Sequence, residues 1–153
     1  MKKGLFALAL GTFGLGITEY VMMSILPELA AQFGVSIASA GHLISAYALG
    51  VCVGAPLIVL FTRNWPLKRI LLMLMVVYIA GNLGFTLSSD YTVALIMRFI
   101  SGLPHGAYFG TGALVASRLV GVNRATSAVA LMCMGMTVAN PVSYTHLRAH
   151  ETV

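Results

Sequence analysis

Long apolar runs separated by short polar connections make up the chain from Leu5 to Asn140. A bilayer core about 30 Å thick needs roughly 20 apolar residues of helix to cross it, so runs of that length between charges are read as spans. The first covers about residues 5–26, the second 41–62, the third 70–88 and the fourth 92–116. A fifth begins at about Ala125 and stays apolar to Asn140, after which PVSYTHLRAHETV turns polar. Pro27, the pair Arg63 and Pro66, and Asp90 stand where the first three runs should stop. The pattern predicts an all-α membrane protein of four transmembrane helices plus the start of a fifth, with residues 1–140 as one partial bundle and 141–153 outside it.

The distribution of charge orients these spans. Lys2, Lys3, Arg63, Lys68, Arg69, Arg118 and Arg124 fall on one side, and Glu28 and Asp90 on the other. Basic loops stay inside, so the amino terminus is predicted to be cytoplasmic. The Lys pair ahead of an apolar stretch also fits a cleaved signal peptide. Against that, the stretch is longer than a signal core, holds Glu19 and ends without a small-x-small site.

Composition closes off other classes. With 59% apolar residues, 8% charged and a mean hydropathy of +0.93, the chain lacks the polar coat of a soluble globule and is too apolar for disorder. Its net charge of +5 comes from bases scattered between spans, which argues for topology and against a nucleic-acid surface. Cys52 and Cys133 lie in apolar runs and are expected as reduced, buried thiols. Aromatics near span ends, Tyr20, Trp65, Tyr78 and Tyr91, fit an interfacial belt. There is no phosphate loop, zinc-protease helix, nucleophile elbow or dinucleotide fingerprint, and no metal-ligand spacing. No enzyme, cofactor or metal is expected.

Membrane helices approach closely where small residues recur every fourth position. Ala46, Gly50 and Gly54 form such a row on the second span, Gly102, Gly106 and Gly110 on the fourth, and Ala7 and Gly11 a shorter one on the first. They serve as packing grooves or as tracks for helix movement, and spacing does not separate the two. Pro56 and Pro104 each remove a backbone bond within a span.

Ionisable groups at membrane depth are costly unless paired or wetted, which singles out Glu19, Arg98 and His105. Counting a rise of about 1.5 Å per residue, Glu19 and Arg98 lie roughly 9 to 10 Å below the outer ends of their spans, with Tyr47 and Asn82 at a similar level. Arg98 and His105 are seven apart and share a helix face with Gly102. One reading makes Glu19 a proton-titratable site that Arg98 pairs with or tunes, with Tyr47, Asn82 and His105 lining a solute cavity. The other makes Glu19 and Arg98 a static staple between helices.

The stretches LALGTFGLGITEYVMMSILPELA, AGHLISAYALGVCVGAP and MRFISGLPHGAYFGTGALVAS resemble, in that order, the arabinose-efflux-permease-like sugar and drug efflux branch of the major facilitator superfamily. The resemblance covers residues 1–140. Arg98, Ser101 and Gly102 resemble the antiporters' fourth-span R-x-x-Q-G motif, with Ser101 in place of Gln, and in that family the arginine is tied to proton coupling. Thr18, Glu19 and Tyr20 look like its first-span acidic element. In the loop after the second span the superfamily carries G-x-x-x-D-R/K-x-G-R/K-R/K. Here Leu60 and Leu67 stand in place of the glycines and Asn64 in place of the aspartate, so only the basic pair Lys68 and Arg69 remains.

The resemblance implies the N-terminal six-helix half of that fold, in part, and a parent protein in the bacterial inner membrane that exports a small organic solute in exchange for protons. Its partners would be the lipid bilayer, the solute, protons and the missing C-terminal helices, with no nucleic acid. The tail SYTHLRAHET resembles an adapter-derived sequence and is expected to be non-native. The fragment alone is expected to transport nothing. The alternative is a small four-span protein that assembles with partner helices and carries no solute.

Overall fold

The computed structural model describes residues 2–120 and 122–148, and every regular element among them is helical. α1 spans Lys2–Ser24, α2 Leu26–Phe33, α3 Ile37–Ala40, α4 His42–Thr62, α5 Leu67–Leu87, α6 Tyr91–Val120 and α7 Ala125–Arg148, with a 3-10 turn at Val122–Arg124. The stretches Lys3–Ser24, Ile37–Thr62, Leu67–Leu87 and Ala125–Ser143 are long and apolar enough to cross a membrane. α6 has 30 residues, about 45 Å of helix, but it is not among them. Arg98, Ser101, Pro104 and His105 dilute its apolar content, and all four are buried within the protein.

Two helix ends differ from the sequence expectation. The first helix stops at Ser24 and a new one starts at Leu26, so Pro27 sits in the first turn of α2, where its missing N–H has no partner to lose. α7 runs past Asn140 and through Pro141 to Arg148. Proline there removes one backbone bond, and Ser143 Oγ donates to the Ala139 carbonyl at 2.9 Å in the turn that contains it. Residues 149–153 of the polar tail lie outside the described residues.

The chain divides into two compact units, Met1–Ile25 with Gly112–Val153, and Leu26–Thr111. In the first, α1 packs on α7. A Cβ on Gly135 would collide with the Ala9 carbonyl and with Thr12 Oγ1, and one on Gly16 would lie 2.8 Å from the Ala139 Cβ. At Gly135 backbone meets backbone, and at Gly16 the backbone of α1 meets the side chains of Ala139 and Met136. Thr12, fully buried, sits between them with its hydroxyl 2.6 Å from the Met132 carbonyl of α7 and 2.9 Å from the Ala9 carbonyl of its own helix. Of the expected row of Ala7 and Gly11, Gly11 is buried. Ala7 is exposed, and the stripe facing α7 is Ala9, Thr12 and Gly16.

In the second unit the chain leaves α2 through Gly34, whose φ of +63° is left-handed and open to glycine without strain. Ser36 caps α3 by accepting from the Ser39 N–H at 3.1 Å. Asp90 caps α6 by accepting from the N–H groups of Thr92 and Val93 at 2.8 and 3.1 Å. Tyr91 does more than line an interface, since its hydroxyl donates to the Ser39 carbonyl at 2.5 Å and its ring meets Phe33 edge-on. Tyr78, also expected at an interface, is buried within α5.

Candidate functional site

α4 and α6 cross at their glycines. A Cβ on Gly50 would strike the Phe99 carbonyl, one on Gly54 the backbone of Leu103, and one on Gly102 the Tyr47 carbonyl. Gly106 continues the row less tightly, 3.0 Å from the Val51 carbonyl and 3.1 Å from the Ala55 Cβ. Gly110 does not extend it. A Cβ there would meet nothing within 4 Å among the described residues, so close approach ends one turn earlier. α5 meets α6 in the same way, with Ser101 2.9 Å from a Cβ on Gly81 and the Met97 sulfur 2.6 Å from one on Gly84.

This approach sets three polar side chains against one another. Arg98, 1% exposed, places its guanidinium carbon 4.4 Å from the Tyr47 ring centroid and 5.6 Å from that of Phe85. Desolvated cation–π contacts of this kind contribute about 2 kcal/mol. The Tyr47 hydroxyl and His105 Nδ1 share a hydrogen bond of 2.6 Å, and the His105 ring stacks on Phe109 at 5.3 Å. The seven-residue spacing on α6 thus delivers Arg98 to the face of Tyr47 and His105 to its hydroxyl. Tyr47 joins the two.

Asn82 stays outside this chain of contacts. Its amide nitrogen donates to the Tyr78 carbonyl of its own helix at 2.8 Å, which ties one of its two N–H donors within α5. Glu19 lies half-buried on α1, in the other unit. Lys68 and Arg69 are exposed in the first turn of α5, and the Arg69 guanidinium lies 4.5 Å over the Trp65 ring. Cys52 and Cys133 are free thiols, but Cys52 is exposed on α4 and Cys133 half-buried on α7, where buried thiols were expected.

The family model of the Major Facilitator Superfamily matches residues 8–144. The chain belongs to that superfamily. AraJ of Escherichia coli (strain K12) is 55% identical over 140 residues, covering 92% of this chain and 36% of its own length. The Inner membrane transport protein YdhP of the same organism is 45% identical over 136 residues, 89% of this chain and 35% of its own. A Helicobacter pylori (strain G27) protein named Probable sugar efflux transporter is 28% identical over 134 residues, 88% of this chain and 34% of its own. The chain spans about a third of the length of these relatives. No solved structure gives a significant match.

As a member of the Major Facilitator Superfamily with several apolar helices, the chain is a multi-pass membrane protein of a transporter family. Three residues of the cluster escaped the sequence reading. Phe85 and Phe109 looked like ordinary apolar positions, and only packing shows that they flank Arg98 and His105. Gly81 was legible in principle, since Gly81 and Gly84 give α5 a small face one turn long beside Asn82.

Proposed function

We propose that this chain is the amino-terminal part of a longer carrier in the bacterial inner membrane, amino terminus cytoplasmic, that exports a small organic solute in exchange for protons. The observation that carries the reading is the buried Arg98, stacked on Tyr47, which is in turn bonded to His105 inside a membrane helix pair. A fixed cation at that depth is retained at a cost of several kcal/mol, which is the mark of a working group in a membrane helix. Glu19 exchanges the proton, and Tyr47, His105 and Asn82 border the solute. The printed name of the Helicobacter relative supports a sugar or sugar-like cargo moving outward. A site that offers a base and aromatic rings also suits an amphiphilic drug.

The test is a flux assay in proteoliposomes on the full-length protein that contains these spans. Glu19→Gln should abolish uptake driven by an imposed pH gradient while solute-for-solute counterflow persists. If gradient-driven uptake survives the substitution, Glu19 is a structural group and the coupling assignment fails.

A further inference from the structure

The connection between α4 and α5 carries chemistry that the transport reading leaves unused. Residues 60–70 read LFTRNWPLKRI, with three cations and no carboxylate. Arg63, Lys68 and Arg69 are all exposed. Beside them stand exposed apolar side chains, Leu60, Phe61 at 76% exposure and Trp65 at 39%. The Arg69 guanidinium lies over the Trp65 ring at 4.5 Å, so the cation and the amphipathic ring form one unit. Pro66, at the start of α5, offers no side-chain cap; its carbonyl accepts from the Arg69 and Ile70 N–H groups, and those of Leu67 and Lys68 precede the first helical bond.

From this arrangement we infer that the α4–α5 connection is a binding site for the headgroup phosphate of an anionic phospholipid. Phe61 and Leu60 enter the acyl region, Trp65 sits at the headgroup boundary, and Arg63, Lys68 and Arg69 meet the phosphate. A zwitterionic headgroup offers the same phosphate beside a compensating cation. A soluble protein surface with these charges would pair some of them with acids, and this segment has none.

Trp65 is the sole tryptophan of the chain, so its fluorescence reports the site directly. The full chain is reconstituted in bilayers holding equal mole fractions of acyl-brominated phosphatidylglycerol or acyl-brominated phosphatidylcholine, and quenching of Trp65 is compared. At roughly 1 kcal/mol for each basic side chain near the surface, equivalent to about fivefold in association, phosphatidylglycerol should be preferred by fivefold or more. The R63Q/K68Q/R69Q variant should bring the ratio to unity with helix content unchanged. Should that variant misfold, 1 M salt on the unaltered chain supplies the same comparison, because it screens the charges to about 3 Å. Equal quenching by the two lipids overturns the assignment, as does a preference that survives salt. Inorganic phosphate that displaces the brominated lipid would identify a soluble anion as the ligand and overturn it as well.

Discussion

The Tyr47 hydroxyl and His105 Nδ1, 58 residues apart in sequence, share a 2.6 Å hydrogen bond between two buried side chains on crossing helices. The same tyrosine turns its ring to Arg98. One side chain therefore fixes both polar groups of α6, and the two contacts are separable by mutation.

Tyr47→Phe keeps the ring under Arg98 and removes only the hydroxyl. Interhelical hydrogen bonds inside membrane proteins contribute about 0.6 to 1.7 kcal/mol, and a loss of about 1 kcal/mol is expected. Unfolding by denaturant in micelles measures it. A double-mutant cycle with His105→Ala should return a coupling of similar size, and a coupling of zero would show that the bond contributes nothing to packing.

Gly54→Ala and Gly110→Ala make an opposed pair. The first drives a methyl group into the Leu103 backbone, which has no rotamer to give, and should cost about 1 to 3 kcal/mol. The second enters open space and should leave the melting temperature unchanged or raise it, since alanine favours helix by about 1 kcal/mol over glycine. Thermal melts followed by circular dichroism distinguish them.

Thr12→Val deletes the hydroxyl that lies 2.6 Å from the Met132 carbonyl while keeping the shape of the side chain. The Met132 carbonyl retains its own helical bond, so the expected loss is modest, about 1 kcal/mol. Its effect should add to that of Tyr47→Phe, because the two residues belong to different units.

Gly34→Ala places a Cβ in a left-handed backbone with nothing around it to clash, so strain is isolated from packing. A destabilisation of about 1 kcal/mol is expected, and Gly34→Asn should recover part of it, as asparagine tolerates that region.

Hydropathy located α4 and α5, observed at His42–Thr62 and Leu67–Leu87 within three residues of the expected runs at each end, but it missed the break after Ser24 and the continuation of α7 to Arg148. Helix phase was less accessible. Ala7 and Gly11 have the right spacing, yet Ala7 is exposed while Ala9, Thr12 and Gly16 meet α7, because apolar residues surround α1 and leave no polar face to orient it. Arg98, Tyr47 and His105 stood out as polar groups in an apolar setting. Their mutual contacts depend on how closely α4 and α6 approach, which four glycines determine and no single sequence position displays.

α6 meets bare backbone on two sides, from α4 at Gly50, Gly54 and the Tyr47 carbonyl and from α5 at Gly81. A turn of α6 about its own axis by one residue would put Ser101 or Leu103 where Gly102 meets the Tyr47 carbonyl, a position without room for either side chain. The helix is azimuthally locked. Arg98 and His105 keep their compass bearing relative to α4, and the polar cluster that they form with Tyr47 holds together as one piece.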